Sequence, residues 1–217
     1  VQDHADLIAR RTGRAVVITA VSARDRTKTR DADLSGYAWE TDPVALAQRE
    51  DVDVFVEVMG GHEGPAKLAT EAAIAAGKDV VSANKALLAH HGQALALAAE
   101  SAGRVIRFEA AVAGGIPVIK ALTEGLAGNQ IKRVVGVMNG SCNYILTRMQ
   151  NDGMTYQQVF DAAQALGYLE ADPNLDVGGI DAGHKLALLA SIAFGTKVSF
   201  DAVELEGIGK ISIDDIH

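Results

Sequence analysis

The first half of the chain is constrained most by an alternation of two textures. AVVITAV (15–21), VDVFVEVMGG (52–61), DVVSANK (79–85) and RVIRFEA (104–110) are rich in apolar, β-branched residues and read as buried strands. Helical segments lie between them. Asp42-Pro43 reads as an N-cap followed by proline at the first helical position, opening a short helix through about Arg49. PAKLATEAAIAA (65–76) is a helix closed by Gly77, and LLAHHGQALALAAESAG (87–103) is another ending at Gly103. The opening VQDHADLIARRTG is the end of a helix, with Arg10 and Arg11 in its last turn and Gly13 just past it. Strands that alternate with helices through short connections build βαβ units, so a parallel sheet is predicted.

After residue 112 the texture changes. A Gly-rich loop and helix, a strand in IKRVVGVMNGS, two amphipathic helices in NYILTRMQNDG and TYQQVFDAAQALG, and a helix in IDAGHKLALLASIAFG no longer alternate strictly. The fold expected is therefore α/β: a partial Rossmann-type dinucleotide-binding domain in residues 1–112, then an α+β catalytic or dimerisation domain in residues 113–217. In a dinucleotide fold the first strand and its G-x-G-x-x-G turn precede the first helix, and that strand sits mid-sheet in the order 3-2-1-4. Here both are expected upstream of Val1, in a longer polypeptide, leaving both domains incomplete.

Composition excludes several classes. A formal net charge of −8 argues against a nucleic-acid or anionic-membrane surface. One cysteine rules out an intramolecular disulfide framework and a Cys-based zinc cluster. No run approaches the length of a membrane span, and VQDHADL is not a signal peptide. The expectation is a cytoplasmic protein without nucleic-acid or membrane partners.

Ligands of open α/β sheets bind at the carboxyl ends of the strands, so polar residues at those addresses are candidates. Arg24 follows the first visible strand, where an acid suits a ribose 2′-hydroxyl and an Arg a 2′-phosphate; a solvated loop of mixed charge is the alternative. Gly60 and Gly61 end the next strand, either to admit a ligand to the backbone or simply to turn. Ser82, Ala83, Asn84 and Lys85 end the third, and Lys85 could move a proton or hold a carbonyl oxygen. The loop from Glu109 through Val112, Gly114 and Ile116 offers carbonyl oxygens of the kind hard cations take, or serves as a hinge between domains. Glu170, Asp172, Asp176 and Asp181 form the densest acidic cluster, with Lys185 one helical turn beyond Asp181. This charge would match a basic substrate group; the alternative is a helix cap plus a surface ion pair. His184 reads as structural, and Cys142 as a small buried residue rather than a nucleophile.

Taken together, EVMGG (57–61), VVSANKALLA (80–89), FEAAVAGGIPVI (108–119), NGSCNYILTRM (139–149) and ALGYLEADPNLDVGGIDAGHK (165–185) resemble the homoserine dehydrogenase family, collinearly over nearly the whole chain. Ser141-Cys142 departs from the family's usual Thr-Thr. The resemblance implies an oxidoreductase that interconverts L-homoserine and L-aspartate 4-semialdehyde with NADP or NAD, in threonine, methionine and isoleucine biosynthesis. It implies that Glu170 and Asp176, with Asp172 and Gly140, hold the substrate, that Asp181 positions Lys185, and that Lys185 and Lys85 are the proton-transfer candidates. Arg24 would meet the adenosine phosphate; Gly60, Gly61, Ser82, Ala83, Asn84, Lys85 and Gly114 would line the cofactor. Backbone carbonyls of Glu109, Val112, Gly114 and Ile116 match a stretch that binds a sodium ion, and a homodimer or homotetramer is expected. The alternatives are a non-catalytic dinucleotide-fold protein and a dehydrogenase of another amino-acid semialdehyde.

Overall fold

The structure is a computed structural model and describes residues 1–170 and 172–216. Helix α1 (Ala5–Thr12) ends on Gly13 in the left-handed conformation, φ 73°, as its position past two arginines predicts. Strands β1 (Ala20–Ser22) and β2 (Ala38–Glu40) pair in parallel, and helix α2 (Pro43–Gln48) starts where the Asp42 side chain accepts the Val44 amide. Strand β3 (Val54–Glu57), helix α3 (Pro65–Ala75), strand β4 (Asp79–Ser82), helix α4 (Lys85–Ser101) and strand β5 (Ile106–Arg107) then alternate. These three strands form a second parallel sheet in the order β3-β4-β5. The βαβ reading of the first half is thus met.

One face of that sheet carries the core. Phe55 and Val80 point into a cluster with Leu46, Ala47, Ala69, Ala73, Ile74, Leu87, Leu95 and Ala99 from α2, α3 and α4. Small alanines let the helices lie close on the strands, so shape complementarity is reached with few large side chains. The opposite face shows Val54 and Val56, 47% and 59% exposed.

Two strand expectations come out differently. The run 15–21 forms a strand only over its last residues, and Val16, Val17 and Ile18 are exposed. Among the described residues β1 pairs only with β2, and no ladder joins β1 to β3; the break falls where the order 3-2-1-4 places one strand. A β-branched run without a neighbour to share its backbone hydrogen bonds has nothing to hold it as a strand. Likewise IKRVVGVM (131–138) is not a strand. Val134 and Met138 pack on a helical core while Val135 and Val137 are each 78% exposed, a two-residue alternation without a ladder.

The second half is mainly helical. Single turns α5 (Glu109–Val112) and α6 (Val118–Lys120) lead into a wider turn at Ala121–Gly125. Helix α7 (Gly140–Asp152) is capped by Asn139, and α8 (Tyr156–Ala165) by a Thr155–Gln158 capping box. A short α9 (Asn174–Val177) precedes the long α10 (Ile180–Phe194). Ile145, Met149, Val159 and Ala163 form the α7–α8 core. Leu188 and Leu189 of α10 pack on Leu88, Ala111, Val112 and Ile119, tying the helical half to the sheet half. None of the described helices is long and apolar enough to cross a membrane.

Candidate active site

Packing α10 against α4 brings the two predicted lysines to one carboxylate. Asp181 lies in the first turn of α10 and is 3% exposed. Its Oδ1 lies 3.0 Å from Lys85 Nζ, at the start of α4, and its Oδ2 is 2.7 Å from Lys185 Nζ, one turn along α10. Lys185 Nζ also donates to the Met138 carbonyl at 2.8 Å, and Lys85 Nζ reaches Glu170 Oε1 at 3.2 Å. The surface-ion-pair alternative for Asp181 and Lys185 is therefore set aside: the carboxylate is buried and bridges two ammonium groups.

The electrostatics follow from this packing. Burial works against the Asp181 carboxylate. The hydrogen bonds from Lys185 and Asn139, the Lys185 charge and the Lys85 contact outweigh it and hold the carboxyl below its usual range. Burial likewise opposes the Lys85 ammonium, but the bond to Asp181, its charge and then Glu170 raise its pKa above the ordinary lysine value. In this arrangement Lys85 is held as an ammonium.

Asp176, 4% exposed in α9, is the second buried acid. Its Oδ2 accepts the Glu170 amide at 3.0 Å, so it shapes the loop carrying Glu170 while the Glu170 side chain stays exposed. Asp172 is exposed and its carboxylate caps the Asn174 amide; Ala171, within the same motif, lies outside the described residues. Gly140 opens α7 beside Asn139. Cys142 donates to the Asp176 carbonyl at 3.3 Å, and burial, then the charges of Asp176 and Asp181, push its thiol up to about 11. Such a thiol is not a nucleophile near neutral pH.

At the carboxyl ends of β3 and β4 a second network holds the cofactor candidates. Glu57 is fully buried and accepts from Met59 N at 2.6 Å, Gly60 N at 3.3 Å, Ser82 Oγ at 2.7 Å and Asn84 Nδ2 at 3.5 Å. Asn84 also caps α4 through Leu87 N and donates to the Gly61 carbonyl at 2.7 Å. Ser82 and Asn84 are thus spent on shaping the Gly60-Gly61 turn, and Ala83 is half-buried beside them. Gly60 and Gly61 have φ of 81° and 80°, which L side chains resist, and Gly60 opens on empty space. That bare backbone at strand ends fits a dinucleotide.

Arg24 is exposed, and the same loop carries Arg26, Lys28 and Arg30 around a cavity of about 310 Å³ with Tyr37 and Trp39. The guanidinium carbons of Arg26 and Arg30 lie 5.7 and 5.5 Å from the Trp39 ring centroid. Glu109 uses its side chain on the Ile119 and Lys120 amides at 2.7 and 3.0 Å, leaving its main chain in the carbonyl loop with Val112, Gly114 and Ile116. The Glu109 and Ile116 carbonyls already accept Ala113 N and Val118 N, and each keeps a second lone pair for a cation.

His184 is 5% exposed, as its structural reading requires, and packs on Phe200 with ring centroids 4.4 Å apart and edge-on to His90 at 5.4 Å. His90 stacks on His62 at 4.3 Å, so imidazoles join the β3 turn, α4 and α10. Burial, then repulsion from His90 and Lys85, drop the His184 pKa to about 4, and its buried Nε2 has no partner among the described residues. The folded state then binds fewer protons than the unfolded chain, whose histidine titrates near its ordinary value of 6.5. This contribution to stability is present above pH 6.5 and is lost as pH falls from there toward 4. The expected result is a melting temperature that drops across this window and drops less in His184→Phe; equal slopes in both proteins would count against it.

Glu57 and Asn139 are buried at the site and were passed over in the sequence reading. Glu57 had a signal, being an acid at the end of an apolar strand that runs into a Gly-Gly turn. Asn139-Gly140 reads only as a turn, because the two acids its amide donates to lie 37 and 42 residues away.

Comparisons with known proteins agree on one family. A model described as the homoserine dehydrogenase NAD-binding domain matches residues 2–109, and one described as homoserine dehydrogenase matches 117–217. The homoserine dehydrogenase of Neisseria gonorrhoeae is 48% identical over 215 residues, covering 99% of this chain and 49% of that protein. That of Bacillus subtilis is 40% identical, covering 100% and 50%. A crystal structure of a homoserine dehydrogenase from Thiobacillus denitrificans superposes with a TM-score of 0.94 at 42% identity, over 99% of this chain and 49% of that one. A hyperthermophilic archaeal homoserine dehydrogenase in complex with NADPH gives 0.69 at 31% identity, over 81% and 53%. The chain spans about half the length of the curated relatives it matches.

Proposed function

We propose, from the premise that this chain belongs to the homoserine dehydrogenase family, that it supplies the dinucleotide and substrate sites of an enzyme interconverting L-homoserine and L-aspartate 4-semialdehyde. The observation that carries this reading is the Asp181 carboxylate held between Lys85 and Lys185, one from each half of the chain. Oxidising an alcohol takes a hydride from carbon and a proton from oxygen, so a proton-handling group must stand at that oxygen. A bound NAD(P) supplies or accepts the hydride.

Lys185, fixed by Asp181 and the Met138 carbonyl, gives or takes the hydroxyl proton. Lys85, kept as an ammonium, stabilises negative charge developing on the same oxygen. Glu170 and Asp176, with Asp172 and Gly140 nearby, suit the substrate's ammonium end. Gly60, Gly61 and Gly114 present bare backbone to the cofactor, Ser82, Ala83 and Asn84 shape its crevice, and Arg24 meets the adenosine end. The basic loop that Arg24 shares with Arg26, Lys28 and Arg30 favours NADP over NAD. Main-chain oxygens of Glu109, Val112, Gly114 and Ile116 would hold a sodium ion and brace the domain junction. A cytoplasmic homodimer or homotetramer completes the proposal.

The test is an assay of the full-length polypeptide with NADP⁺ or NAD⁺ and a panel of amino alcohols, following absorbance of the reduced nicotinamide. Homoserine-dependent reduction is expected. Reduction with another amino alcohol alone would redirect the substrate assignment, and none with any would overturn it.

A further inference from the structure

We infer that Asn139 is a positioning residue that locks the substrate-anchoring acid Asp176 and the proton-handling acid Asp181 into one frame. The inference rests on the function proposed above and concerns a residue outside its set of acids and lysines. Asn139 is 8% exposed and stands at the point where α7, α9 and α10 meet. Its Nδ2 donates to Asp176 Oδ1 at 2.8 Å and to Asp181 Oδ2 at 3.0 Å. Its Oδ1 accepts the Cys142 amide at 2.7 Å.

These partners settle the amide's orientation, because the reverse would aim a carbonyl oxygen at two carboxylates. Both side-chain hydrogens of one amide are thus used on two buried anions that would otherwise repel each other. The preceding residue contributes as well: the Met138 carbonyl accepts Lys185 Nζ at 2.8 Å. Asp176 passes the order on, since its other oxygen holds the Glu170 amide. Substrate anchoring and proton transfer are therefore fastened to the same two residues at the entry to α7. Among the described residues Asn139 hydrogen-bonds to the acids and not to either lysine, so its influence runs through the acids.

Capping and positioning can be separated, because asparagine, aspartate and serine all cap helices well while only asparagine donates twice. Asn139→Asp keeps the acceptor for Cys142 N, removes both donated bonds and adds a third carboxylate. In the full-length enzyme it is expected to lower kcat/KM for homoserine by roughly 10–100-fold, through both a higher KM and a lower kcat. Part of the loss returns as pH is lowered, when the new carboxyl protonates and can donate. Asn139→Ser, which caps without adding charge, is expected to fold with a lowered melting temperature, because two buried carboxylates lose a donor, and to lose about 10-fold or more in kcat/KM. It therefore decides the matter even if Asn139→Asp fails to fold.

A readout independent of turnover is the Asp181 carboxyl titration followed by NMR. It moves to higher pH in Asn139→Ser, because one donor that favours the carboxylate is gone. Wild-type kcat/KM in either capping variant, or an unmoved Asp181 titration in Asn139→Ser, would leave Asn139 a simple helix cap and overturn the inference. Absence of homoserine turnover in the unaltered enzyme would instead overturn the function proposed above, while the titration still tests Asn139.

Discussion

Replacing Lys185 with methionine in the full-length enzyme is expected to lower kcat by about 10²–10⁴-fold while changing KM much less. The substitution keeps the length and apolar stem of the side chain and removes only the ammonium. Folding survives, because Asp181 retains Lys85 at 3.0 Å and Asn139 at 3.0 Å as partners. What disappears is the ammonium that the Met138 carbonyl and Asp181 hold in place, the proton-transfer group of the proposed function. Lys185→Arg separates charge from proton transfer: it restores a cation at this position but loses almost no protons near neutral pH. A low kcat in both variants assigns Lys185 the proton; recovery in the arginine variant assigns it only charge. Wild-type turnover in the methionine variant would remove Lys185 from the mechanism.

Glu57→Ala is expected to destabilise the protein by about 3 kcal/mol or more, the largest stability loss of any single change considered. Glu57 is completely buried, and its carboxylate is the common acceptor for donors from the β3 turn and from the end of β4. Removing it strands the buried Ser82 hydroxyl and takes the carboxylate from the Met59 and Gly60 amides of the part-buried turn. Glu57→Gln, which keeps one oxygen for the turn and offers an amide to the Ser82 hydroxyl, is expected to cost only about 1 kcal/mol. Denaturant unfolding of the three proteins measures both values. A loss under about 1 kcal/mol in Glu57→Ala would show that the turn is held by its own backbone instead. Dinucleotide affinity should fall alongside stability, because the same carboxylate sets the backbone of Gly60 and Gly61.

Much of the local structure was legible in the residues. Gly13 past two arginines and Asp42-Pro43 each predict a helix end from a few neighbouring positions. The parallel sheet was legible as well, because alternation with short connections leaves few topologies. Val16, Val17, Ile18, Val135 and Val137 were not, since a β-branched run is a strand only where another strand accepts its hydrogen bonds.

The site divides along the same line. Lys85, Glu170, Asp176, Asp181 and Lys185 were legible as candidates from residue type, address and family motif. Lys185 sits one helical turn from Asp181, a distance that sequence spacing determines. Lys85 meets the same carboxylate only because α10 packs on α4, and Asn139 reaches Asp176 and Asp181 only because α7, α9 and α10 converge. The sequence by itself determined the helix ends, the βαβ order, the family and the list of acids and lysines, because each depends on residues near one another in the chain. The tertiary structure alone decided that Asp181 is buried between two ammonium groups, that Glu57 organises the glycine turn, and that Asn139 ties two acids together. Burial and charge pairing depend on which distant segments touch, and that is settled by packing.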